Sequence, residues 1–281
     1  MKLSFTKMHG CGNSYLYFNC FEQSVPNPEA LSIRLSDLHF GVGSDGIILI
    51  SPSDRADAQM RIFNADGSEG KMCGNGIRCV GKYLYDNGMV GNRTTVTVDT
   101  LSGVKTLELT VQDGKMQTAR VDMGAAVLLP QKIPVLYEGN SAVDVPIVVD
   151  ERVYHMTCVS MGNPHCVLFL KEDIDDLDLA RLGPKFEHHT LFPERINTEF
   201  VNVLPDGSLK MRVWERGSGE TWACGTGACA VGVAAVLNGH ADKNSCITVH
   251  LRGGDLTVQY TDETVFMTGT ATTVFKGEIE I

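Results

Sequence analysis

No C-x2-C pair occurs in this chain, although it holds nine cysteines. Cys73/Cys79 and Cys224/Cys229 are spaced outside the usual zinc knuckles, so no metal site is expected. The odd count and the lack of a visible export signal favour thiols in a reducing compartment over a disulfide framework. Met1-Lys2 leads straight into an alternating strand pattern, without a long apolar leader. The longest apolar runs, such as residues 47–50, are too short to span a bilayer. Basic residues are in deficit: 24 Lys and Arg stand against 34 Asp and Glu, a net charge of −10. That excludes the basic footprint expected of a nucleic-acid binder or of a protein held on an anionic membrane. The expectation is a cytoplasmic globular protein whose partner is a small molecule, with no nucleic acid and no membrane.

What is present is ordinary in bulk and unusual in detail. The 281 residues are 43% hydrophobic and 21% charged, enough for one large or two medium domains. One stretch is written twice. Residues 63–79 read F-N-A-D-G-S-E-G-K-M-C-G-N-G-I-R-C, and residues 214–230 read W-E-R-G-S-G-E-T-W-A-C-G-T-G-A-C-A. A slide of 151 positions lays Cys73 on Cys224, Gly74 on Gly225, Gly76 on Gly227 and Glu69 on Glu220. A slide of 150 lays Gly12-Asn13 on Gly162-Asn163 and Tyr15 on His165.

The flanking patterns repeat as well. Residues 2–8, 15–18, 47–50 and 59–63 alternate or run apolar as strands do, with a short helix over 29–38. After Cys73, Ile77, Val80, Gly81 and Leu84 keep helical spacing until Asp86-Asn87-Gly88. Strands at 94–99, 104–111 and 118–123 follow. The order then restarts with strands at 153–161, 196–201 and 209–214, a helix over 227–237 stopped by Asn238-Gly239, and strands at 248–251, 256–260 and 265–268. This is one duplication, not a short-period solenoid. The expected class is α/β with mixed, mostly antiparallel sheets. Each half wraps its sheet around its second, more apolar helix. The halves are expected at 1–130 and 140–281, joined near 130–140, and the last strand of the chain is expected to pack with the first half.

Each repeated turn carries a cysteine immediately before a helix. Only the thiolate is a good base, and a helix N-terminus stabilises it through its N–H groups and dipole. The glycines let backbone approach a ligand, so Gly74, Asn75, Gly225 and Thr226 can present donors to an anion. A single Cys-Gly-x-Gly turn is usually structural. Duplication explains a repeated turn but gives no reason to keep both thiols. Cys73 and Cys224 are therefore the candidate catalytic pair of a two-base racemase or epimerase, expected to face one another across one small substrate. His165, repeated at the Tyr15 position, is a further candidate near that pair.

Taken together, K-M-H-G-C-G-N-S, G-V-G-S-D-G, R-I-F-N-A-D-G-S-E, M-C-G-N-G-I-R-C, G-N-P-H and W-E-R-G-S-G-E-T-W-A-C-G-T-G-A-C-A resemble the diaminopimelate epimerase family over essentially the whole chain. The resemblance implies two similar domains with the active site in the cleft between them, a homodimer, and no cofactor. It implies interconversion of LL- and meso-diaminopimelate, on the route to lysine and peptidoglycan. By the same resemblance Asn13, Asn64, Asn163, Asn197, Glu215 and Arg216 are substrate-binding positions. Gly74-Asn75 and Gly225-Thr226 cradle the reacting carboxylate, and His165 and Glu215 assist the thiols. One departure is visible: many relatives carry glutamine where this chain has Gly46. Proline racemases and hydroxyproline epimerases are the nearest alternative, but they typically have histidine where Asn75 stands. A phenazine-type isomerase of similar fold would lack the cysteine pair, and a non-catalytic thiol or metal-binding protein would show itself by stoichiometric zinc.

Overall fold

The computed structural model describes residues 1–281, and the chain divides into two compact units. The first comprises residues 1–122 and 268–281, the second residues 123–267. The first unit opens with β1 (Lys2–Gly10), β2 (Asn13–Asn19), α1 (Pro28–Ser36), β3 (Gly46–Ser51), β4 (Ala58–Asn64) and β5 (Glu69–Gly70). It continues with α2 (Gly74–Asp86), β6 (Thr95–Thr100), β7 (Gly103–Gln112) and β8 (Lys115–Asp122). The second unit holds β9 (Val145–Val149), β10 (Arg152–Ser160), β11 (Pro164–Phe169), α3 (Leu179–Glu187), β12 (Asn197–Val203) and β13 (Leu209–Glu215). After these come β14 (Gly219–Thr221), α4 (Gly225–Leu237), β15 (Cys246–Leu251), β16 (Gly254–Tyr260) and β17 (Val265–Thr270), whose residues 268–270 already belong to the first unit. The last strand, β18 (Thr272–Glu280), belongs to the first unit and pairs antiparallel along β1, Lys2 opposite Glu280.

The duplication is a duplication of strand pairing. In the first unit β2 runs parallel to β3, β3 antiparallel to β4, β4 parallel to β6, and β6 antiparallel to β7. In the second, β11 runs parallel to β12, β12 antiparallel to β13, β13 parallel to β15, and β15 antiparallel to β16. The sheet of each unit packs around one helix. α2 touches β1, β2, β6, β7 and β8, and α4 touches β10, β11, β12, β15 and β16.

Glycine sets how close each helix lies. A Cβ on Gly81 would come within 2.8 Å of Leu107 Cδ2, and one on Gly232 within 2.5 Å of Val258 Cγ1. Both the glycines and their partners are 151 positions apart, so the same helix-to-strand contact is built twice. Both helices stop alike. Asn87 Nδ2 donates to Tyr83 O and Asn238 Nδ2 to Ala234 O, and the next glycines take φ +73° and +74°.

The two helices differ in the face they show. α4 is apolar on all sides and buried over most of its length, as its sequence requires. α2 is not uniformly apolar. It leaves Lys82, Tyr83, Tyr85 and Asp86 half-buried, and it buries a charged residue, Arg78, completely. Residues 130–140, read from the sequence as the join, instead contribute Ile133 and Val135 to the core of the second unit beside Tyr154 and Phe186. Pro130 there starts a short 3-10 turn, a loop signal and not a domain boundary.

Gly46 explains itself. Its φ is +149°, and a Cβ would lie 2.1 Å from the carbonyl oxygen of Phe63 on the paired strand. Glutamine at this position demands a different path for the start of β3. Gly46→Gln is expected to destabilise this protein by about 2–4 kcal/mol. Urea denaturation checks this, and an unchanged midpoint would show that the β3–β4 pair yields without cost.

Candidate active site

In the first unit, the tight turn at Cys11-Gly12, both at positive φ, delivers Asn13 to the start of β2. Asp45 fixes it there: Asn13 Nδ2 donates to Asp45 Oδ2 at 2.9 Å, and the Ser14 N–H donates to the same oxygen at 2.7 Å. The Asn13 amide oxygen is thereby aimed at the cysteine turn. It accepts from Cys73 Sγ at 3.5 Å and from Asn75 Nδ2 at 3.4 Å. Cys73 is the N-cap of α2, in extended backbone, and its Sγ accepts the Gly76 N–H at 3.3 Å. The sulfur occupies the place that a serine or aspartate oxygen takes at an ordinary helix start.

Beneath this turn lies Arg78, which the sequence reading passed over. Its Nη1 donates to Gly74 O, its Nη2 to Asn75 Oδ1 and its Nε to Thr270 O, at 3.0, 3.0 and 3.2 Å. A Cβ on Gly10 would lie 2.8 Å from Nη2, so the small residue there makes the room. A fixed cation thus sits under the first turn of α2, adding to the positive end of the helix. Deeper still, Tyr17 donates to Gly76 O, and burial pushes the Cys79 thiol up to about 11, which keeps it inert. Asn64 ends β4, half-buried, with its side chain donating to Ser68 Oγ at 3.0 Å.

In the second unit, Cys224 is the N-cap of α4, and its Sγ accepts the Gly227 N–H at 3.3 Å. The Thr226 hydroxyl lies 3.4 Å from the sulfur. Two carboxylates, those of Glu215 and Glu199, bear on this sulfur. His165 and Glu199, both with fully buried side chains, are joined by Nδ1 and Oε1 at 2.7 Å. His165 Nε2 reaches Asn163 Oδ1 at 3.1 Å. The Thr221 hydroxyl donates to Glu215 Oε1 at 2.5 Å. Burial raises the Glu215 carboxyl above its ordinary range, countered by hydrogen bonds from Thr221 and Cys224 and by the nearby His165. Burial, then the Glu215 and Glu199 carboxylates, push the Cys224 thiol well above the usual thiol range.

The remaining candidates hold the same loops. Asn197 is buried; its Nδ2 donates to Pro164 O at 2.7 Å and its Oδ1 accepts the Arg216 N–H at 2.9 Å. Arg216 is half-buried, with Nη1 donating to Glu194 O at 3.0 Å. Within each unit the structure therefore gathers most of the expected residues around its cysteine turn: Asn13, Gly74 and Asn75 with Cys73, and Glu215 and Thr226 with Cys224. Asn163 and His165 form a chain to Glu199, and Asn197 braces Pro164 and Arg216. Arg78, Asp45 and Glu199 were missed. The doubled sequence holds a signal for two of them, because Arg78 aligns with Cys229 and Glu199 with Ile48, a charge against an apolar residue each time.

Several known proteins are similar to this chain. Diaminopimelate epimerases from Acetivibrio thermocellus and Methanococcus maripaludis are 54% and 51% identical, each alignment covering 99% of this chain and at least 99% of the relative. In fold the chain is similar to a hydroxyproline epimerase from Agrobacterium vitis, with TM-score 0.73, 14% identity, and 99% and 91% of the two chains covered. A phenazine biosynthesis protein from Bacillus anthracis, with TM-score 0.70 and 14% identity over the whole of both chains, shares it too. At such identities these two likenesses carry the fold alone. The sequence model of diaminopimelate epimerase matches residues 5–129 and 157–274, a span that includes both cysteine turns and every strand pair repeated between the units. With its two N-cap thiols set in duplicated sheets, the chain belongs to the diaminopimelate epimerase family.

Proposed function

We propose that the chain interconverts LL- and meso-diaminopimelate by two-base proton transfer, with Cys73 and Cys224 serving opposite faces of one α-carbon. The observation that carries this reading is the matched pair of cysteine caps, each sulfur taking the N–H of the third helical residue at 3.3 Å. One cysteine, as thiolate, takes the α-proton while the other, as thiol, delivers a proton to the opposite face. The roles exchange in the reverse direction. The obstacle is the weak acidity of the α-carbon, whose deprotonation puts charge onto the carboxylate. Backbone donors at Gly74-Asn75 and Gly225-Thr226 answer that charge, each such donor contributing roughly 2.7–4 kcal/mol. No cofactor enters this scheme, because fixed dipoles do by electrostatics what an electron sink does by delocalisation.

The surroundings favour one resting state. Burial and the Glu215 and Glu199 carboxylates favour the protonated form of the Cys224 thiol. Cys73 stands on a turn underlain by the Arg78 cation. Cys73 thus enters as base and Cys224 as acid for one stereoisomer. Asn64, Asn163, Asn197, Glu215 and Arg216 grip the ammonium and carboxylate groups. Arg216 suits the far carboxylate, since a guanidinium fork matches its two oxygens. We further propose a cytoplasmic homodimer, whose stoichiometry sedimentation of the purified chain tests.

Wash-in of α-deuterium from LL-diaminopimelate in heavy water, without added cofactor, is the primary test, and absence of exchange in folded wild-type protein would sink the reading. Cys73→Ala and Cys224→Ala are each expected to lower epimerisation by a factor on the order of a thousand or more. Arg216→Lys, which keeps the charge but loses the fork, is expected to raise KM roughly tenfold with a smaller change in kcat. An equal fall in kcat with KM unmoved would place Arg216 away from ground-state binding.

A further inference from the structure

Glu199 has a place in the repeat that its twin does not need. The two positions hold Ile48 on β3 and Glu199 on β12, and each lies under the first turn of the central helix. A Cβ on Gly76 would come within 2.6 Å of Ile48 Cδ1, and one on Gly227 within 2.7 Å of Glu199 Oε1. Packing alone is satisfied by isoleucine in the first unit. In the second the same space holds a carboxylate that is 0% exposed, joined to an equally buried imidazole, with Oε2 lacking any protein hydrogen-bond partner. A buried carboxylate is expensive, so this one calls for a reason beyond the fold.

We propose that Glu199 is a positioning residue for the Cys224 half of the reaction, anchoring His165, and through it Asn163, while keeping negative charge against the turn that carries Cys224. The proposal rests on the epimerase reading and deepens it. Glu199 Oε1 accepts from His165 Nδ1, which orients the ring so that Nε2 meets Asn163 Oδ1 at 3.1 Å. The same Oε1 lies against Gly227, whose N–H caps the Cys224 sulfur. The groups around that sulfur are Glu199 on β12, His165 on β11, Glu215 on β13 and the Thr226 hydroxyl on α4. Two of them are carboxylates, and both disfavour a thiolate there. Glu199 thus acts without touching substrate, biasing Cys224 toward the proton-carrying form and holding the His165–Asn163 chain in register.

The test reads Cys224 separately from turnover. Alkylation of Cys224 by iodoacetamide is followed across pH by peptide mass spectrometry in full-length wild type, Glu199→Gln and Glu199→Ile, the last being the residue found at the twin position. In both variants the midpoint for Cys224 is expected to fall by roughly one pH unit or more, with the Cys73 profile unmoved. Glu199→Gln is also expected to lower kcat about tenfold or more with little change in KM, since orientation of acid–base groups is lost and not ground-state binding. A Cys224 profile identical to wild type in the variants overturns the proposal, and if one variant fails to fold the other makes the same comparison. Wild-type protein that exchanges no α-deuterium would remove the epimerase reading, while the alkylation comparison would still decide the role of Glu199.

Discussion

A sulfur at the start of a helix is the constraint on which the rest depends. The N–H groups of a first helical turn lack partners inside the helix, and in most proteins an oxygen from the preceding residue takes one of them. Here a cysteine sulfur does so twice, with the same acceptor geometry at Gly76 and Gly227. That single contact fixes the thiol and leaves neighbouring donors directed at whatever anion lies before the helix. It also requires extended backbone at the cysteine and small residues after it, which is the Cys-Gly-x-Gly pattern in physical terms. The sheets wrapped around α2 and α4 hold those helix ends in place, and the close contacts at Gly81 and Gly232 set how far each helix sits from its sheet.

Much of this is legible in the sequence. The strands that flank each cysteine turn alternate plainly, and the Asn-Gly stops after each helix name their own ends. The pairing rule was not legible. Parallel neighbours such as β2 with β3 and β11 with β12 lie some thirty residues apart in sequence, and nothing local announces them. A last strand was expected to pack with the first half, but the sequence reading ended its strands at 265–268, so β18 and its pairing along β1, closed by Ile281 N–H on Met1 O, were missed. The join near 130–140 misled because proline and glycine mark loops whether or not a domain ends there. Ile133 and Val135 decide that segment by burial, which has no short sequence signature.

The candidate site divides along the same line. Cys73 and Cys224 were visible because duplication kept them. Asn13, Asn163, Asn197, Glu215 and Arg216 came through resemblance, and the structure supplies the local reason for several. Asp45 holds Asn13 by two contacts, and Asn197 ties the chain before His165 to the chain at Arg216. Asp45 is an ordinary turn acid in sequence, so its part was hidden. Arg78 and Glu199 were concealed by being charged residues inside apolar stretches, where a pattern reading averages them away.

Those two residues carry the argument furthest. A duplicated protein with identical halves would treat both thiols alike, and its chemistry would be as symmetric as its fold. This chain buries a guanidinium under one cysteine turn and a carboxylate under the other, each in a space its twin fills with an uncharged side chain: Cys229 opposite Arg78, Ile48 opposite Glu199. Both charges cost solvation, and both are met by polar groups: Gly74 O and Asn75 of the turn itself for Arg78, and His165 on β11 for Glu199. A substrate with one reacting centre and one distant head group is itself unsymmetrical. On the proposed two-base reading, thiols of equal character would leave proton-loading undefined at rest, and the opposite buried charges are what would distinguish the two sides. The duplication supplied two equivalent cysteine caps, and the departures from it gave them different charged surroundings.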